Sequence, residues 1–166
     1  YMPTDNTRKI SSRALTRADM GLPEDAFVFC CFNDSYKIKE MEFGIWMRLL
    51  RQISGSVLWL RKANHWFEAN LIAEAEKRHI DPARLIFADR IPMDEHLARH
   101  TLADLFLDTF AFNAHTTATE ALWAGLPLVT KVGQGFATRV AASLLSAVGL
   151  PELITETAGD YEALIL

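Results

Sequence analysis

Residues 27–60 read FVFCCFNDSYKIKEMEFGIWMRLLRQISGSVLWL, and their pattern decides the fold. Residues 27–32 (FVFCCF) are continuously apolar, as a strand buried on both faces must be. From Ile38, the apolar positions Met41, Ile45, Trp46, Leu49, Leu50 and Ile53 recur at helical spacing. Ser54-Gly55 stops that helix, and residues 56–60 (SVLWL) form a second strand. A strand, a helix and another strand in close succession make a parallel crossover unit.

The alternation continues downstream. Phe67, Leu71, Ile72 and Ala75 mark a helix that stops near Asp81-Pro82, and residues 84–88 (RLIFA) are a third strand. A short polar helix over 93–101 leads to a fourth strand at 103–107 (ADLFL). A helix over 116–123 is capped by Gly125, and residues 127–130 (PLVT) are a fifth strand. A further helix over 136–148 ends at Gly149 and Pro151. The pattern predicts an α/β fold: an open parallel sheet with helices on both faces, over residues 21–166. Residues 1–20 are polar and aperiodic and read as a connecting segment.

Composition narrows the function. A length of 166 residues suits one domain, and 50% hydrophobic with 23% charged residues is ordinary for a soluble globular one. The formal charge of −4 gives no basic face for nucleic acid, and no apolar run approaches the roughly 20 residues that span a membrane. Cys30 and Cys31 are adjacent in a strand and point to opposite faces, so they read as two core thiols in a reducing compartment, not a disulfide. Trp46, Trp59, Trp66 and Trp123 are expected mostly in the core. With no leader visible at Tyr1, the reading is a cytoplasmic protein. The close on the apolar Ala163-Leu164-Ile165-Leu166 suggests a piece of a longer chain.

In open parallel sheets, ligands bind beyond the carboxyl ends of the strands. The loops there carry Asn33 to Lys37, Asp89 to Pro92, Asp108 to His115, and Lys131 to Gly135. The strongest local feature is Asn113-Ala114-His115-Thr116-Thr117-Ala118-Thr119-Glu120. A threonine pair at a helix start offers hydroxyls and free amides to an anion such as a diphosphate, or is simply an N-cap. Lys37 reads as a point charge for the same phosphates or as a solvated surface lysine. His96 and Arg99 sit one turn apart, to frame a planar ring or to form a polar helix face. Glu120 follows Thr117 by three positions, as a capping-box acid or as an acceptor for sugar hydroxyls. No Walker motif, no H-E-x-x-H and no G-x-S-x-G is present, and Gly133-Gln134-Gly135 lacks a dinucleotide fingerprint.

The stretches DTFAFNAHTTATEALWAGLPLVT, GQGFATRVAASLL, GLPEDAFVFCCFNDSYKI, SVLWLR and RLIFADRIPMDEHLAR together resemble the C-terminal half of O-linked N-acetylglucosamine transferases, including bacterial relatives with tetratricopeptide repeats upstream. The similarity runs in consistent order from about Gly21 to Glu152. It implies the Rossmann-like C-terminal half of a GT-B glycosyltransferase, binding UDP-N-acetylglucosamine as donor substrate for an inverting transfer to Ser or Thr, with no metal and no other cofactor. Lys37 then corresponds to the lysine on the donor diphosphate that supports the leaving UDP, and His115, Thr116 and Thr117 to the triplet that cradles the phosphates. His96 corresponds to the histidine packed on uracil, Arg99 to a uracil-side arginine, and the main chain from Ile91 to Met93 to the loop reading the base edge. Glu120 stands where the family more often has a ribose-binding Asp. Asp34 replaces a Gln-type contact and puts an unfavourable carboxylate near the diphosphate, while Met93 replaces a lysine.

The resemblance also implies that an acceptor protein is held mainly by upstream domains, and that this half alone binds the donor weakly, if at all, and does not turn over. Two alternatives stand beside it: a UDP-glucose-dependent protein N-glucosyltransferase and a non-catalytic Rossmann-like interaction module.

Overall fold

The computed structural model describes residues 5–166. Six strands alternate with six α-helices. In chain order they are β1 (Val28–Cys31), α1 (Glu40–Gln52), β2 (Val57–Arg61), α2 (His65–Lys77), β3 (Leu85–Ala88), α3 (Met93–Arg99), β4 (Leu105–Leu107), α4 (Thr116–Trp123), β5 (Leu128–Lys131), α5 (Val140–Ala147), β6 (Ile154–Thr155) and α6 (Ala158–Ile165).

All the strand pairs are parallel, and the sheet order is β3-β2-β1-β4-β5-β6. This is the doubly wound Rossmann order, with its reversal between β1 and β4. Every residue of β1 is buried, and Cys30 pairs with Trp59 on one side and Phe106 on the other. The central strand therefore needs apolar side chains on both faces, as its sequence shows. Cys30 and Cys31 are free, buried thiols.

The helices close over both layers of the core. On α1, Trp46 is fully buried and its indole N–H meets the Tyr161 hydroxyl of α6 at 3.4 Å. Helices α3, α4 and α5 pack in series. Asn64 caps α2 by accepting from the Phe67 amide at 3.0 Å, and Gly125 ends α4 at φ 83°.

Three sequence expectations need correction. Trp66 and Trp123 are exposed, because their helices turn those positions outward, and only Trp46 and Trp59 are core. The helix expected over 136–148 is a 3-10 turn, Phe136–Thr138, followed by α5. Strand β6 and helix α6 were not foreseen. A strand of two residues has no periodicity to read, and it exists through pairing with β5, Thr130 beside Ile154.

Within the segment expected to connect, residues 1–4 lie outside the described residues. The remainder is pinned to the domain. Arg17 donates to the carbonyls of Ala26 at 2.7 Å and Leu102 at 3.2 Å and pairs with Asp104 at 3.0 Å.

Candidate functional site

The strand reversal between β1 and β4 opens a crevice at the carboxyl ends of the strands, where the loops after β1, β3 and β4 meet. Asp108, the first residue beyond β4, organises the longest of them. It is fully buried, and its Oδ1 accepts the amides of Thr109 at 2.8 Å and Ala114 at 2.6 Å. Its Oδ2 accepts the Thr130 hydroxyl at 2.6 Å. Burial pushes this carboxyl up to about 7, against the opposing effect of those hydrogen bonds.

Asn33, just beyond β1, ties three segments together. Its Nδ2 donates to the Thr109 hydroxyl at 2.8 Å, and its Oδ1 accepts the hydroxyl of Thr117. Thr117 thus already donates its hydroxyl proton inside the protein. What the start of α4 offers outward is backbone amides and the Thr116 hydroxyl.

The N-cap of α4 is His115, and no side chain caps the helix. Its first-turn amides have no partner inside the helix, so the positive end of the helix dipole is open for an anion. Lys37 is buried beside this end. Its Nζ donates to the Asn113 carbonyl at 3.1 Å and lies 4.2 Å from the centre of the Phe112 ring. Burial lowers its pKa, with Asp108 pulling the other way. His115 stacks on the other partner of that cluster, Phe112, at 4.6 Å between ring centres. Burial lowers its pKa too, so the ring is held toward the neutral form.

A cleft of about 280 Å³ lies alongside. The loop after β3 and helix α3 give it Ile91, Met93, His96 and Arg99, and helix α4 gives it Thr116, Thr117 and Glu120. Its floor includes Phe32, against which His96 rests at 5.4 Å between ring centres. Arg99 is almost wholly buried. Its guanidinium sits 4.5 Å above the Phe32 ring and donates to the Asp89 carbonyl at 2.7 Å, so it fixes the loop after β3.

Glu120 does not form a capping box. With His115 as N-cap, the third helical position is Ala118, and Glu120 points its carboxylate at other partners. Oε1 accepts from Arg8 at 2.7 Å, and Oε2 lies 3.5 Å from Nε2 of His96. The Asp34 carboxylate is neutralised by Arg61, which also lines the cleft.

The arrangement therefore brings the sequence-selected residues to one edge in two groups: Lys37 and His115 around Phe112, and the other seven around the cleft. Sequence reasoning passed over Asn33, Asp108, Phe112 and Arg8. The first three lie in loops already singled out, and a polar residue directly after a buried strand was an available signal for Asn33 and Asp108. Nothing in the sequence pointed to Arg8. Among the described residues, no group of three His, Cys, Asp or Glu side chains is arranged to hold a metal ion. No helix of the described residues is long and apolar enough to cross a membrane.

The UDP-N-acetylglucosamine–peptide N-acetylglucosaminyltransferase of Caenorhabditis elegans is 40% identical over 146 residues, covering 88% of this chain and 13% of that protein. A probable enzyme of the same description from Arabidopsis thaliana is also 40% identical, over 147 residues, covering 88% of this chain and 15% of the other. The chain thus spans less than a sixth of these relatives' length. Among solved structures, a lysine-to-methionine mutant of Thermobaculum terrenum O-GlcNAc transferase superposes with a TM-score of 0.80 at 30% identity, covering 87% of this chain and 30% of that one. An Anabaena protein solved with UDP and glucose shares the fold at 14% identity and a TM-score of 0.50. The fold is that of the Rossmann-like half of GT-B glycosyltransferases. The sequence profile of glycosyl transferase family 41 matches residues 4–166, nearly the whole chain, and with it the chain belongs to that family.

Proposed function

We propose that this domain is the donor-binding half of an inverting, metal-independent protein glycosyltransferase that moves N-acetylglucosamine from UDP-N-acetylglucosamine to Ser or Thr. The observation that carries the reading is the uncapped start of α4 beside the buried Lys37, at the strand reversal. That pair offers amides and a cation to a diphosphate, each charge-assisted hydrogen bond contributing about 1.5–3 kcal/mol. The adjoining cleft has Ile91, Met93, His96 and Arg99 for the base and Glu120 for the ribose. The names of the relatives support the donor and the acceptor class.

In the transfer, the bond between the sugar and the β-phosphate oxygen breaks, and negative charge grows on the departing UDP. Lys37, with Thr116 and the first-turn amides of α4, meets that charge as fixed groups that need no reorganisation. Positive charge from the protein does the work that a divalent cation does elsewhere, and none of these side chains need move a proton. The acceptor hydroxyl and the group that receives its proton belong, in this reading, to upstream domains with tetratricopeptide repeats. Buried, unpaired Cys30 and Cys31 accord with a cytoplasmic protein.

Titration of the chain with UDP, followed by NMR or calorimetry, tests the reading. Saturable binding that weakens roughly tenfold or more in Lys37→Ala supports it. No binding of millimolar UDP by the longer protein that carries this domain refutes it.

A further inference from the structure

Among the described residues of the N-terminal segment, Arg8 reaches Glu120 of the cleft. Arg8 Nη1 donates to Glu120 Oε1 at 2.7 Å, with side chains 28% and 6% exposed. The segment is held along α3 by the Ser11 amide, which donates to the Asp94 carbonyl at 3.0 Å, and by Arg13, which pairs with Glu95 at 3.2 Å.

The two oxygens of Glu120 are unequally engaged. Oε1 is committed to Arg8 in a charge-assisted bond, while among the described residues Oε2 has His96 alone, at 3.5 Å, and a further lone pair to accept another hydrogen bond. Burial pushes the pKa of Glu120 up, but hydrogen bonds from His96 and Arg8 outweigh it and leave the group below the ordinary value. An ionised carboxylate only accepts, which is what a sugar hydroxyl requires of it. Glutamate has three side-chain torsions to fix. Two partners from separate segments fix them before a ligand arrives, which lowers the ordering cost of binding.

We infer that Arg8 is a positioning residue of the donor site, holding the Glu120 carboxylate aimed so that its second oxygen accepts a ribose hydroxyl. The inference rests on the UDP reading above. It makes the N-terminal segment a determinant of ribose recognition, a part that neither its composition nor its aperiodic pattern suggests.

The test compares dissociation constants, by NMR titration of the full chain, for UDP and for its 2′-deoxy and 3′-deoxy analogues. The wild type is expected to bind one analogue roughly tenfold more weakly than UDP. Arg8→Met and Glu120→Ala should each bring that ratio close to one, and the double variant should lower it no further. Arg8→Lys should restore part of it. Arg13→Gln, which loosens the segment without touching Glu120, should leave the ratio at its wild-type value. A wild-type ratio that Glu120→Ala abolishes and Arg8→Met leaves intact overturns the role of Arg8 alone. An equal effect of Arg13→Gln also overturns it, since the segment would then act only as a strap. Absence of UDP binding by the longer protein that carries this domain overturns the donor reading and this inference with it.

Discussion

Replacing Asp108 separates an organising role from mere occupancy of space. In the folded chain its carboxylate accepts two amide hydrogens, from Thr109 at 2.8 Å and Ala114 at 2.6 Å, and the Thr130 hydroxyl at 2.6 Å. All four residues are fully buried. Asp108→Ala strands both amides, and a buried donor without a partner costs about 1–3 kcal/mol, so the pair costs about 2–6 kcal/mol. Asp108→Asn keeps a carbonyl oxygen for the amides, and the Thr130 hydroxyl can rotate to accept from the new amide group, leaving a loss of about 1 kcal/mol. For a domain of this size 1 kcal/mol shifts the melting temperature by about 2–4 °C, so the alanine variant should melt roughly 5–20 °C below the wild type and the asparagine variant within a few degrees of it. Calorimetry or near-ultraviolet circular dichroism at pH 5, where the raised pKa keeps Asp108 neutral like the asparagine that replaces it, reads the difference. The loop concerned carries the Asn113 carbonyl that receives Lys37, so UDP affinity should fall with stability in the alanine variant and persist in the asparagine one. If the two variants melt together, the amides have found other acceptors and Asp108 does not organise the loop.

Four further outcomes follow from the same geometry. Burial raises Asp108 from 3.8 to about 7, so its contribution to stability is complete below pH 4 and is lost as pH rises through 7. Burial lowers His100 from 6.5 to about 4, so its contribution is complete above pH 6.5 and is lost as pH falls through 4. The two slopes oppose one another in the wild type. Melting of Asp108→Asn should therefore climb more steeply between pH 4 and 6.5, and an unchanged profile would contradict the assignment. Lys37→Arg should bind UDP more weakly than wild type despite its charge, because the larger head must fit between Phe112 and the Asn113 carbonyl; equal affinity by calorimetry would show that charge alone matters. A Cβ on Gly133 would come within 2.7 Å of Thr138 Cβ, so Gly133→Ala should cost about 1–3 kcal/mol in urea denaturation by displacing the 133–138 turn. Asn33→Ala frees the Thr117 hydroxyl and the Thr109 hydroxyl together and should weaken UDP binding more than Thr117→Val does, as titration would show.

Much of the fold was legible because burial on two faces and on one face leave different periods. Residues 27–32 carry no polar position, and β1 is a fully buried strand with a neighbour on each side. The helical spacing from Met41 to Ile53 marked α1 for the same reason, although Met41 itself is exposed. Where few residues share an environment the signal fades. The two residues of β6 have no period, and α6 is an element of eight residues whose place shows through Tyr161, which meets Trp46, Phe110 and the Asp108 carbonyl, and through Glu162, which pairs with Arg48. Trp66 and Trp123 misled because hydrophobicity is a tendency to be buried, which one exposed helix face overrides.

The site divides in the same way. His115, Thr116 and Thr117 could be selected from sequence, since a helix start is a local event, and an anion at such an end needs only the next few amides. Glu120 shows the limit: three positions after Thr117 it read as a capping-box acid or as an acceptor for sugar hydroxyls, and the structure removes the first alternative, since the cap position falls on His115 and the carboxylate meets Arg8 and His96. Local chemistry and periodicity, which extend over a few residues, determined the parallel α/β order, the buried strands and the loops that meet at one edge. Partnership between residues distant in the chain was decided only by the tertiary structure. Asn33 meets Thr117 across the sheet reversal, Asp108 meets Thr130 across the β4–β5 pair, and Arg8 meets Glu120 where the N-terminal segment passes the cleft; electrostatic and hydrogen-bonding interactions act through space and leave no periodic trace in the chain.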